Sequence, residues 1–166
     1  LFGVLCCIPI TVLVLTNIWV SIDYNQNCGG YLIRASHANT VQLADRELVK
    51  AIHYLQQNRM DQGGYTSVFY NTPDEDVGFW YQNLMACHHE LETLAAKGDK
   101  LTSLEQSNTL LKLRDTLTNH TEGGETLTDP PGIAVFPNNS RWAGMYVVFG
   151  ILGLLGLAFL APESRK

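Results

Sequence analysis

The sequence predicts a mainly α-helical membrane protein: two transmembrane helices flanking an extracytoplasmic antiparallel helical bundle, with a minor two-stranded β element. Two observations predict the membrane part and a third predicts the bundle. Residues 1–22 hold no charged side chain, and residues 142–161 hold none. Bilayer hydrocarbon is about 30 Å thick, so roughly 20 apolar residues of helix cross it. Between these segments apolar residues recur three and four apart, which marks one face of a helix.

The first span is read from Leu1 to Ile22. Pro9 removes one backbone hydrogen bond and predicts a kink. Thr16, Asn17 and Trp19 mark the approach to an interface, where indole rings settle at headgroup depth. A cleaved signal peptide is the rival reading, but it calls for a charged leader, a shorter apolar core and a small-x-small cleavage site. No Ala-x-Ala pattern follows, so the segment is expected to stay as an anchor. Cys6 and Cys7 read as small apolar packing residues rather than acylation sites, because Leu5 stands where a lipoprotein signal wants Gly or Ala.

The second span is read from Trp142 to Ala161, with Arg141, Trp142 and Tyr146 as its interfacial collar and Trp19 as the matching anchor on the first. Gly150, Gly153 and Gly156 stand three apart inside it. Small residues let another helix backbone come close inside lipid. They are interface candidates toward the first span or toward another subunit. Arg165 and Lys166 in the tail, residues 162–166, favour the cytoplasmic side or its equivalent. Both termini are then expected there, with residues 23–141 opposite.

That middle domain is acidic. The chain has 16 acidic and 11 basic residues; less Glu163, Arg165 and Lys166, the domain keeps 15 and 9, a net charge of −6. Nucleic acid, which needs a basic footprint, is not an expected partner. No polybasic patch addresses anionic headgroups.

Asn25 to Gly30 reads as a turn-rich hinge. From Tyr31 to Asn58 one helix is expected, about 40 Å long, with Ala38, Val41, Ala44, Leu48, Ala51 and Leu55 on its inner face. Gly63-Gly64 closes the next linker. Tyr65–Tyr70 is β-branched and aromatic, hence extended. Thr72-Pro73-Asp74-Glu75 is a helix start, with a capping Thr, Pro at the first helical position and a Glu able to reach back. Asp74, Glu75 and Asp76 complement the helix dipole. Val77, Trp80, Leu84, Cys87, Leu91 and Leu94 form the stripe that follows, and Gly98 ends it. A third helix is expected over Thr102–Thr118, capped by Thr102 and Glu105 and broken by Gly123-Gly124. Ile133–Phe136 reads as a second extended segment, expected to pair with Tyr65–Tyr70. Three helices with complementary stripes predict an antiparallel bundle.

Candidate chemistry is sparse. With the first two bundle helices antiparallel, Cys87 faces Ala44 or Asp45 and Cys28 lies about 25 Å further along, too far for a disulfide. His88 and His89 diverge by about 100° on a helix and do not share a ligand easily; His53 faces elsewhere. Phe79, Trp80 and Tyr81 form an aromatic cluster in which Trp80 belongs to the core stripe. Phe79 and Tyr81 are protein-interface candidates. No Gly-x-Ser-x-Gly, phosphate loop, zinc or haem signature occurs. Asn119-His-Thr121 and Asn138-Asn-Ser140 match a glycosylation pattern that matters only in a eukaryotic secretory pathway.

The blocks Asn39-Thr-Val-Gln-Leu-Ala44, Tyr65 to Leu84 and Gly132-Ile-Ala-Val-Phe-Pro-Asn138 resemble a group of small, uncharacterised bacterial membrane-anchored proteins, cyanobacterial ones among them. The likeness covers the soluble domain alone and implies no activity and no site residue.

The expected function is a non-catalytic accessory or structural subunit of a larger membrane complex. Its partners would be the lipid bilayer and other integral membrane subunits. No cofactor, metal or catalytic residue is expected. The alternative is an extracytoplasmic ligand-sensing module acting through a separate output partner. A metal or redox enzyme using Cys87, His88, His89 and Glu90 is the third and least supported reading.

Overall fold

A helix once started continues wherever each added residue closes another hydrogen bond, and the first helix continues well past the charge-free segment. The computed structural model describes residues 2–67, 71–137 and 139–160, and among them all side chains but those of residues 2–7, 99, 139–143, 157, 159 and 160. Helix α1 spans Phe2–Tyr24, a π-helical turn follows at Asn25–Gly29, and α2 runs from Gly30 to Ser36. The expected hinge at Asn25–Gly30 is therefore helix. Its Asn and Gly residues are weak helix formers, but Cys28 and Gly29 are buried. A Cβ on Gly29 would stand 3.3 Å from Leu127 Cδ1, so packing overrides the local preference. The result is one rod about 50 Å long.

The chain breaks instead at His37–Thr40. Thr40 is extended, and its hydroxyl oxygen accepts a hydrogen bond from the Leu43 amide at 3.2 Å, satisfying one of the free donors at a helix start. The helix expected over Tyr31–Asn58 is thus two: the end of the rod, and α3 at Val41–Gln57. The stripe Ala38, Val41, Ala44, Leu48, Ala51 and Leu55 is buried throughout.

Helix α4 spans Val77–Ala95 and α5 spans Ser103–Leu117. The Thr72–Glu75 capping box is present, with the Glu75 carboxylate accepting from the Thr72 hydroxyl at 2.7 Å, but it closes a 3₁₀ turn at Pro73–Glu75. Asp76 caps α4 itself, accepting from the Phe79 amide at 2.9 Å. Thr102 and Glu105 cap α5 reciprocally: the Glu105 amide donates to Thr102 Oγ1 at 3.2 Å and the Thr102 amide to Glu105 Oε2 at 3.0 Å. Val77, Trp80, Leu84 and Leu91 of α4, with Leu113 and Leu117 of α5, join the α2–α3 stripe in one core. Helix α4 lies antiparallel to α3, with His88 against Asp45.

The sheet is not where it was expected. Strands β1, Thr118–Thr121, and β2, Gly124–Leu127, form an antiparallel hairpin across Glu122-Gly123, pairing Thr118 with Leu127 and Thr121 with Gly124. Tyr65 pairs with Asp76 in a single bridge; residues 68–70 of the expected strand lie outside the described residues. Ile133–Phe136 bonds to itself and its neighbours in turns, through Ile133 to Pro130 and Val135 to Gly132. Closing a short loop costs less entropy than closing a long one, which favours the local hairpin over a pairing across more than sixty residues.

Helix α6 spans Asn139–Leu160 and packs antiparallel to α1. Tyr146 donates a hydrogen bond to the Asn17 side chain. Seven residues further into each helix, a Cβ on Gly153 would stand 2.9 Å from Ile10 Cδ1. Among the described residues, one helix, Ile8–Ser36, is long and apolar enough to cross a membrane, and Gly144–Gly156 is a shorter apolar helix.

Candidate functional site

Among the described residues, three places that gather polar or exposed aromatic groups bear on function, and the fold positions each from different elements.

The first is the junction where α1 enters the domain. The π turn widens the helix by a residue and brings Tyr24 and Cys28 inward together, both buried. The Tyr24 hydroxyl donates to Asp129 Oδ2 at 2.8 Å, and the Tyr54 hydroxyl donates to Asp23 Oδ2 at 2.7 Å. The two rings meet edge to face, 6.2 Å between centroids. Asn27 Nδ2 donates to Asp23 Oδ1 at 2.8 Å. Burial raises the Asp129 carboxyl above its ordinary range, against the Tyr24 hydroxyl, which lowers it. The junction thus ties α1 to α3 and to the segment after β2 by charge-assisted hydrogen bonds, which are stronger than neutral ones.

The second is the outer face of α2 and α3. Glu47 has a side chain 1% exposed, surrounded by Arg34, Arg46 and Lys50. The Lys50 hydrogen bond, then the Arg34, Lys50 and Arg46 charges, hold its carboxyl below the usual range despite burial. Beside this cluster a cleft of about 350 Å³ is lined by Asn27, Tyr31, Lys50, His53, Gln57 and Asn58, with Tyr54 at its wall.

The third is an aromatic lip on α4. Phe79 is 62% exposed. With Pro73, Asp74, Asp76 and Trp80 it borders a cleft of about 210 Å³ closed on the far side by Thr116 and Thr128.

The expected interface residues fall in different settings. Phe79 is exposed at the lip, while Tyr81 is half-buried and its hydroxyl accepts from Gln56 Nε2 at 2.9 Å. Gly153 and Gly156 are buried, and Gly153 meets Ile10 of the same chain. A Cβ on Gly150 meets nothing within 4 Å. Trp19 projects outward, 72% exposed. Tyr146 bonds Asn17 and meets Phe136 at a tilt of 58°, ring centres 5.0 Å apart. The side chains of Arg141 and Trp142, and the tail 162–166, lie outside the described residues, as do those of Cys6 and Cys7.

Cys28 and Cys87 are free thiols, in separate places. Burial pushes the Cys87 thiol up, which does not prepare a nucleophile. His88 Nδ1 lies 2.6 Å from Asp45 Oδ1 on the neighbouring helix, and His89 is exposed. Among the described residues no three His, Cys, Asp or Glu side chains gather as a metal set would.

Sequence reasoning missed the junction and the Glu47 cluster. A Glu on the inner edge of an otherwise apolar stripe, with basic residues one before and three after it, was the available signal for the cluster. Comparison with known proteins finds no match: no family model, no curated protein and no solved structure is similar to this chain.

Proposed function

We propose that this chain is a non-catalytic accessory subunit of a membrane complex, with α1 and α6 side by side in the bilayer and the helical domain standing on one side of it. The observation that carries this reading is the locked junction. The apolar helix passes into the domain without a break, and Tyr24–Asp129 and Tyr54–Asp23 fix its exit. A tether for a freely diffusing domain needs no such lock; a part that must meet neighbours in one orientation does. The apolar outer side of α1, with Val12, Leu15, Ile18 and Ile22 exposed, suits lipid or neighbouring helices. Phe79 offers an anchor on the domain.

Two measurements test this. Alkaline carbonate is expected to leave the full chain in the membrane pellet. Purification in mild detergent, followed by native mass measurement, is expected to give a defined assembly larger than one chain. A lone monomer in every mild condition overturns the proposal.

The polar cleft beside α3 favours a second reading, a ligand-sensing module, because it is large enough for a small polar molecule and lies against the continuous rod. A ligand-dependent rise in the unfolding temperature, with a monomeric protein, would select it.

A further inference from the structure

A buried carboxylate requires about one cation to offset its charge; Glu47 has three. Lys50 Nζ lies 2.8 Å and Arg46 Nε 3.6 Å from Oε1, and Arg34 Nη2 lies 3.1 Å from Oε2. The cluster therefore holds two positive charges more than it neutralises, on a domain whose net charge is −6. All three cations reach solvent: 61% exposed for Arg34, 67% for Arg46 and 42% for Lys50. They are also held in place. Arg34 and Lys50 stand 5.8 and 5.0 Å from the centre of the Tyr31 ring, so carboxylate and ring together limit their rotamers. Cations ordered in advance lose less entropy on binding.

The rest of the face fits the same partner. Arg46, Val49, Lys50 and His53 sit at helical spacings of three and four, and Val49 is exposed. The adjoining cleft is lined by amide, hydroxyl, imidazole and ammonium groups; the carboxylate of Asp23 stands behind it and is taken up by Asn27 and Tyr54. Lipid headgroups reach only the near edge of this face. Tyr54 lies level with Asp23, so Lys50 and Arg46 stand about 6 and 12 Å further from the apolar span. The headgroup layer is about 5–7 Å deep on each side.

We propose that the outer face of α2 and α3 is the docking surface for an acidic segment of a neighbouring protein subunit, with a carboxylate side chain seated between Lys50 and the cleft and an apolar side chain against Val49. This rests on the accessory-subunit reading and names the chemistry of its contact.

The test places a photo-crosslinking amino acid at Val49 of the full chain in its native membrane. After irradiation the crosslinked peptide is identified by mass spectrometry. An acid-rich peptide from a different protein is expected. In Arg46→Gln/Lys50→Gln the yield is expected to fall about tenfold, equivalent to about 1.4 kcal/mol, because two of the three cations are gone. Arg34 still faces Glu47 in that variant, but Glu47 loses its hydrogen bond from Lys50; adding Glu47→Gln to the pair removes the under-paired charge, and the same fall in yield is expected there. Lys50→Arg keeps the charge and is expected to keep the yield. Adducts with lipid, with a second copy of this chain or with a peptide lacking acidic residues overturn the proposal. So does a yield that the double substitution leaves unchanged. If native mass still shows an assembly while Val49 captures nothing, this face is wrong and the accessory-subunit reading stands; a monomer throughout removes both.

Discussion

Two short polar segments lie only seven residues apart in this chain and end up opposite. Asn25–Gly30 contains two asparagines and two glycines and is helix; His37–Thr40 contains neither Gly nor Pro and is where the helix stops. In the first, three residues after Tyr24 have something to bond or bury against: Asn27 reaches Asp23, Cys28 approaches the Ala51 carbonyl at 3.9 Å, and Gly29 lets Leu127 close in. In the second, Thr40 offers the next helix a cap, and the Asn39 carbonyl accepts a bond from Gln106 of α5 at 2.9 Å. Continuity of a helix here depends on what stands across from it, more than on the composition of the segment itself.

That contrast can be broken at the junction first. Tyr24→Ala removes a buried ring and is expected to cost about 3–5 kcal/mol, the range for aromatic deletions in a core. Tyr24→Phe keeps the ring but leaves Asp129 without its donor, and is expected to cost about 1–3 kcal/mol. Both are read from denaturant unfolding in detergent micelles by circular dichroism. Gln26→Pro changes an exposed side chain but removes a backbone donor within the rod. It is expected to cost about 3 kcal/mol, whereas a true hinge would absorb it with little loss. At the break, Thr40→Ala removes the cap and is expected to cost about 1 kcal/mol in the same assay, with α3 fraying at its first turn.

The smallest effect sharpens the capping half of the comparison. Glu105 at the start of α5 is held down to about 2, chiefly by the Thr102 amide, then by the Thr102 hydroxyl and Lys97. A free Glu titrates near about 4.3. Because the folded value is the lower one, the cap's contribution is complete above the unfolded value and fades as pH falls from about 4.3 to about 2. Carboxyl NMR is expected to show Glu105 titrating near the bottom of that window, with the first turn of α5 loosening over the same range. A Glu105 carboxyl titrating at the free value would remove the reciprocal cap.

Legibility in the sequence followed the same division. Local signals survived folding. The Ala38–Leu55 stripe is buried, the Val77–Leu94 stripe is buried at Val77, Trp80, Leu84 and Leu91 and half-buried at Cys87 and Leu94, Thr102 begins α5, and the α3–α4 register puts residue 88 against residue 45. Features set by partners far along the chain did not show. Nothing within Asn25–Gly30 announces that α3 will cover it, and nothing near Tyr24 points to Asp129, more than a hundred residues later. The hairpin was partly legible: Thr-rich flanks around a two-residue Glu-Gly turn are a hairpin pattern, overshadowed by reading Gly123-Gly124 only as a helix breaker. Of the interface candidates, the glycine spacing leaves both the first span and another subunit open, and Ile10 occupies the place opposite Gly153.

The unbroken passage from α1 into α2 has a geometric consequence. Each residue of an α-helix advances the chain about 1.5 Å and turns it by about 100°. The azimuth at which the domain faces its surroundings is therefore indexed to the number of residues between the apolar segment and Ser36. A single insertion after Ile22 would swing the Tyr31–Arg34 side through more than a quarter turn, while four would return it almost to its bearing, one pitch higher.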